Sequence, residues 1–148
     1  MKLVTQLTLI SVLVQDQDEA LHFYSEKLGL EKRTDTIFGP GLRLLTVALP
    51  GQQRPEIALA KPDAARHGEQ GIGEVKERAG RRPPWIFSTE DCHKTYEILR
   101  ARGVKFVSEP TQRLYGIEAV FEDPYGNAFA LVEASPESYS LLLARSAA

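Results

Sequence analysis

Residues 14–29 read Val14-Gln15-Asp16-Gln17-Asp18-Glu19-Ala20-Leu21-His22-Phe23-Tyr24-Ser25-Glu26-Lys27-Leu28-Gly29. Just upstream, Leu7 to Val14 is rich in β-branched and aliphatic residues, which predicts a strand. Asp16 stands three residues before Glu19, the spacing of a helix N-cap and its capping-box partner, with Asp in place of Ser or Thr. Ala20, Phe23, Tyr24 and Leu28 recur at helical spacing and make one apolar face. Gly29 ends the helix, because glycine enters the left-handed region at little cost. The stretch is therefore a strand feeding a capped amphipathic helix with a glycine stop.

Strands are predicted next over residues 31–36, 42–49 and 55–60, with turns at Phe38-Gly39-Pro40-Gly41 and Pro50-Gly51. A Gly-rich, charged connection follows to about residue 83, with a short helical turn near Glu74–Arg78. Then the pattern restarts. Trp85–Thr89 reads as a strand, and a helix runs over 91–102 with Cys92, Tyr96 and Leu99 on one face, stopped by Gly103. Strands follow near 104–107, 116–122 and 127–133. Ser135-Pro136-Glu137 opens a last helix, with Ser as N-cap and Pro at the first helical position.

The chain is thus an internal duplication, strand, helix and three strands, twice over. Asp16 maps to Asp91 at an offset of 75, and Gly29 to Gly103 at 74, so the first helix carries one extra residue. Glu56 is matched to Ala130, again at 74. The expected fold class is α+β: one domain over 1–148, with module 1 over about 5–62, the connection over 63–83, module 2 over 84–134 and a C-terminal helix over 135–147.

Composition bounds the function. The 148 residues carry 18 Lys plus Arg against 20 Asp plus Glu, a formal charge of −2. That balance lacks the basic footprint of a nucleic-acid binder. Cys92 is the only cysteine, so no intrachain disulfide framework is possible. No apolar run approaches the ~20 residues of a membrane helix, and the N-terminus lacks a signal-peptide cleavage site. A cytoplasmic protein is the expectation.

A second signature completes the pattern: Phe121-x-Asp123-Pro124-x-Gly126-Asn127, with Ala101-x-Gly103-Val104-x-Phe106 upstream. It is a tight turn with Asp first, Pro second and Gly fourth, joining two strands. In this order, across a duplication, the two signatures resemble the vicinal oxygen chelate superfamily of glyoxalases, extradiol dioxygenases, and fosfomycin- and bleomycin-resistance proteins. The resemblance covers residues 5–134. It implies paired βαβββ modules whose curled sheets form a cup, with a divalent metal held by residues of the first and fourth strand of each module. Carried onto this chain, those places fall on Leu9, Glu56, Pro84 and Ala130. Glu56 alone is an electron-pair donor, whereas a zinc site normally uses at least three protein ligands. Two-residue slips supply no His or carboxylate, and Glu133 points to the opposite face of a regular strand.

The residues that remain as candidates for ligand binding are Glu56, Trp85, Tyr115, Arg43, Leu9 and Ala130. Glu56 would act as a base or an orienting carboxylate, Trp85 would stack on a flat ligand, Tyr115 would donate from a rim loop, and Arg43 would pair with an acidic group. His22, His67 and His93 have no ligand spacing, and Cys92 has no activating neighbour. The expected function is a small-molecule-binding protein without a cofactor, holding an apolar or aromatic ligand in the cup and forming a homodimer. The alternatives are a metal-dependent glyoxalase-like lyase, isomerase or dioxygenase, and metal-free acid–base catalysis by Glu56 with Tyr115.

Overall fold

The structure, a computed structural model, describes residues 3–62, 83 and 85–134. The chain divides into two compact units, Met1–Val75 and Lys76–Ala148. The expected helical turn near Glu74–Arg78 and the expected helix from Ser135 lie outside the described residues, as does Pro84.

The first unit runs β1 (Leu9–Leu13), α1 (Gln17–His22), a π-helical turn (Phe23–Lys27), β2 (Glu31–Gly39), β3 (Leu42–Ala48) and β4 (Glu56–Ala60). The second runs β5 (Trp85–Ser88), α2 (Cys92–Ala101), β6 (Lys105–Arg113), β7 (Gly116–Glu122) and β8 (Ala128–Glu133). Each unit holds one four-stranded mixed sheet, ordered β1-β4-β3-β2 and β5-β8-β7-β6. The first strand lies parallel to the fourth, and the other pairs are antiparallel. This is the expected α+β architecture of tandem βαβββ modules.

Both helices start as expected. The Asp16 carboxylate accepts from the Glu19 N–H at 3.0 Å, and the Asp91 carboxylate accepts from the Lys94 N–H at 3.0 Å. Both end at a glycine with positive φ, 84° at Gly29 and 91° at Gly103. The extra residue of the first helix is taken up by the π-helical turn, where the Leu28 N–H reaches the Phe23 carbonyl at 3.1 Å. The closing bond shows the same difference: Leu30 N–H bonds the Tyr24 carbonyl, six residues back, and Val104 N–H bonds the Leu99 carbonyl, five residues back. The two edge strands β2 and β6 run further than expected, to Gly39 and Arg113.

Side-chain alternation gives each sheet a helix-covered and a helix-free face. In module 1, Arg43 reaches Asp18 of α1, so Arg43, Leu45 and Val47 of β3 face the helix with Ile57 and Leu59 of β4. Ala20, Phe23 and Tyr24 are buried on the helix side. In module 2, the Tyr96 ring of α2 meets the Phe106 ring edge-on at 4.6 Å. The Phe87, Phe121 and Phe129 rings continue that cluster, with Phe121–Phe129 centroids 5.6 Å apart. Burying one such side chain contributes about 1.5–3 kcal/mol.

Asp123 builds the β7–β8 turn. Its carboxylate accepts from the Tyr125 N–H, the Asn127 N–H and the Asn127 amide at 2.8–2.9 Å, and Gly126 takes a φ of 83°. The second signature is therefore a structural turn held by buried Asp123 and Asn127.

Candidate functional site

Register settles which positions correspond between modules. Leu9 lies opposite Glu56 in the β1–β4 pair. In module 2, Trp85 lies opposite Phe129 and Ile86 opposite Ala130. With the helix caps Asp16 and Asp91 aligned, Leu13 corresponds to Ser88 and Ala60 to Val132, so Glu56 corresponds to Ala128 and not to Ala130. The cause is the turn before the fourth strand. Ala48 to Glu56 spans eight positions and Glu122 to Ala128 spans six. The shift is two residues, so both alanines share one face and the donor set is unchanged.

Glu56 and Leu9 come together on the helix-free face of module 1, with Thr46 and Ala58. Leu44 shares that face by alternation along β3. Leu9 and Leu44 are 41% and 37% exposed, whereas Thr46 is fully buried. The Glu56 side chain keeps only 14% of its surface, and both its oxygens are engaged. Oε1 accepts from the Thr46 hydroxyl at 2.6 Å, and Oε2 accepts from Arg54 Nη1 at 2.7 Å. Thr46 Oγ1 in turn accepts from the Thr34 N–H at 3.0 Å. The network ties β2, β3 and β4 across that face. Thr46 and Arg54 were not singled out from the sequence, because the β3–β4 register that brings Thr46 beside Glu56 is not written in either strand alone.

Tyr115 and Ala130 come together on module 2. Tyr115, Ile86 and Ala134 pack against buried Ala130 and Val132. Glu118 and Glu122 of β7 lie opposite Val132 and Ala128 and so share this face. Both carboxylate side chains are largely buried: Glu122 pairs with Lys105 at 3.3 Å, and Glu118 stands 3.9 Å from Arg113. Their alternation, Glu118-x-x-x-Glu122 on an even-numbered face, was the sequence signal that could have found them.

Two candidates sit elsewhere. Trp85, opposite Phe129, belongs to the helix-covered side of its sheet. Arg43 also faces a helix. Its Nε and Nη2 grip Asp35 at 2.8 and 3.0 Å, and Nη1 reaches Asp18 at 2.8 Å. Hydrogen bonding to Arg43 holds the Asp35 carboxyl below the usual range, and the two carboxylates push the guanidinium pKa up. Arg43 thus pins α1 to the sheet rather than presenting itself to a ligand.

Cys92 is fully buried, its thiol directed at the Leu131 carbonyl 3.7 Å away. Burial first, then the Glu133 charge, push its pKa up to about 11. Glu133 points to the helix side, as alternation requires, and accepts from the Cys92 N–H at 2.8 Å.

The metal implied by the resemblance does not fit these residues. Leu9, Ala128 and Ala130 carry no donor, position 84 is a proline, and both oxygens of Glu56 are held by protein groups. Among the described residues, no group of three or more His, Cys, Asp or Glu is placed to hold a metal ion.

Comparison with known proteins agrees with this architecture. The family model of the Glyoxalase/Bleomycin resistance protein/Dioxygenase superfamily matches residues 6–131. The chain belongs to this superfamily. YurT of Bacillus subtilis (strain 168) is 34% identical over 128 residues, covering 86% of this chain and 98% of the relative. The crystal structure of UcmS2 superposes with a TM-score of 0.80 at 37% identity, covering 89% of this chain and all of that one. TnmS3, an antibiotic binding protein from Streptomyces sp. CB03234, superposes with a TM-score of 0.72 at 27% identity, covering 91% of this chain and all of that one. Among the described residues of this superfamily member, no helix is long and apolar enough to cross a membrane.

Proposed function

We propose that this protein binds a small apolar or aromatic molecule on its helix-free sheet surfaces, without a metal. The observation that carries the reading is the donor set. The strand positions that the family resemblance assigns to metal ligands hold Leu9, Pro84, Ala130 and Glu56, and both oxygens of Glu56 are already bonded to Thr46 and Arg54. Apolar side chains with few polar groups suit an apolar ligand, since ligand pockets are mostly apolar with a few placed polar groups. The likeness to an antibiotic binding protein supports the same role. In this reading Leu9 and Leu44 line the binding surface of module 1, and Ile86 and Tyr115 line a surface of module 2 considered by itself, with buried Ala130 beneath them. Glu56 organises its surroundings. The working protein is a cytoplasmic homodimer, which native mass spectrometry tests.

A thermal-shift screen with metals and with small aromatic and antibiotic ligands tests the function. A ligand that binds only the folded state at 100 times its Kd adds about 2.7 kcal/mol of stability. The expected outcome is a raised melting temperature with an aromatic ligand in the presence of a chelator. Stoichiometric metal in the purified protein, with an activity that chelation removes, would instead establish a metal-dependent lyase, isomerase or dioxygenase.

A further inference from the structure

We infer that Arg54 recognises an anion, so that the ligand of this face is an apolar or aromatic molecule carrying a carboxylate or similar planar acid. The inference rests on the ligand-binding reading above and names the chemistry of the ligand. It comes from comparing the three described arginines of module 1. Arg33 is filled: Nε bonds Glu31, Nη1 bonds the Gln53 carbonyl, and Nη2 bonds the Leu49 and Gln52 carbonyls. Arg43 is also filled, and it shows how one guanidinium serves two acids. Its Nε–Nη2 edge grips Asp35 with two bonds while Nη1 holds Asp18.

Arg54 has half of that arrangement. Nη1 donates to Glu56 Oε2 at 2.7 Å and to the Gln53 carbonyl at 2.9 Å. Among the described residues, the Nε–Nη2 edge has no partner. That edge is the one that takes a carboxylate with two parallel bonds, as Asp35 does on Arg43. Nor is the side chain a loose surface group. It is 41% exposed, and its anchor Glu56 is 14% exposed and fixed by Thr46. The guanidinium is therefore held at the rim of the helix-free face, beside the partly exposed Leu9 that lies opposite Glu56. Glu56 orients Arg54 as a positioning residue, and Arg54 makes the contact. A planar acid on an apolar body would rest on Leu9 and Leu44 with its carboxylate against Nε and Nη2.

The test uses the full chain and a matched probe pair, 1-naphthoate and naphthalene-1-carboxamide, which share a ring system and differ in charge. By isothermal titration, the naphthoate is expected to bind about tenfold or more tighter than the amide, the effect of charge-assisted paired hydrogen bonds. Arg54→Gln is expected to abolish that preference. Arg54→Lys, which keeps the charge and loses the paired edge, is expected to reduce it. In the unaltered protein, the Arg54 Nε–H resonance is expected to shift with naphthoate and to stay in place with the amide, a readout that does not depend on a variant folding. Equal affinity for the two probes, or a preference that survives in Arg54→Gln, overturns the inference and leaves the ligand-binding reading standing. Binding of neither probe overturns both.

Discussion

The two modules make corresponding hydrogen bonds with different atoms. Where Gln17 of module 1 donates its amide to the Leu59 carbonyl at 2.9 Å, Cys92 of module 2 directs its thiol to the corresponding Leu131 carbonyl at 3.7 Å. Where Thr46 binds Glu56 in module 1, Val120 takes the corresponding place in module 2. On the helix side the strands contribute aliphatic Val12, Leu45, Val47 and Leu59 in the first module, where the rings Phe23 and Tyr24 come from the helical segment, and a cluster of Phe87, Phe121 and Phe129 in the second. What the modules share is caps, glycine stops and strand order. What they do not share is the chemistry of the sheet faces, on which the proposed function rests. Module 1 presents Leu9 and Leu44 beside a fixed Glu56–Arg54 pair. Module 2 buries small residues and two carboxylates on its corresponding face.

The sharpest way to break this comparison is at Gly116, the counterpart of Leu42. A Cβ at Gly116 would collide with the Glu133 carbonyl, and its φ of 143° lies where L side chains are rarely found. Gly116→Ala is expected to cost about 3 kcal/mol or more in denaturant unfolding, since clash and backbone strain add. No such collision is possible at the first module's position, which already carries a leucine side chain.

Deleting one exposed glutamate from each helix separates the modules next. Removing Glu97 from α2 rotates buried Leu99 by about 100° off its face and is expected to cost about 3 kcal/mol. Removing Glu26 returns the π-helical turn to α-helical register and is expected to change stability by under about 1 kcal/mol. Thermal melts of the two deletions check this, and equal losses would refute the insertion account.

Thr46→Val makes the first module resemble the second at position 120. It strips a hydrogen bond from Glu56 and leaves the Thr34 N–H without its acceptor, at an expected cost of about 2 kcal/mol. At neutral pH the smallest effect is that of Cys92. Its pKa is raised from 9.0 to about 11, so the unfolded chain loses its thiol proton first as pH rises. The stability this contributes is fully present below about pH 9 and is lost as pH climbs through about 11. Cys92→Ala is expected to flatten that alkaline decline in urea melts, and the native thiol is expected to resist alkylation at pH 8.

The fold was largely legible because local signals set it. Asp16 and Asp91 cap, Gly29 and Gly103 stop, and Asp123 to Asn127 turn, each within a few residues of chain. The one-residue difference in helix length was legible too, although its form as a π-helical turn depends on how the helix packs. The site was less legible, because it depends on register between strands. The Glu56–Ala130 match missed the shorter β7–β8 turn. Trp85 and Arg43 sit on the helix-covered side, where one residue of alternation decides the face. In the Thr46–Glu56–Arg54 network Arg54 is two residues from Glu56, but only the β3–β4 pairing brings Thr46 to them.

The central claim is ligand binding without metal, and NMR titration of chelator-treated, isotope-labelled protein with 1-naphthoate tests it most directly. Shifts centred on Leu9, Leu44, Arg54 and Glu56, unchanged by added Mn(II) or Zn(II), are predicted. Shifts that appear only after metal is restored, or that centre on the helix-covered side near Arg43 and Trp85, would contradict it.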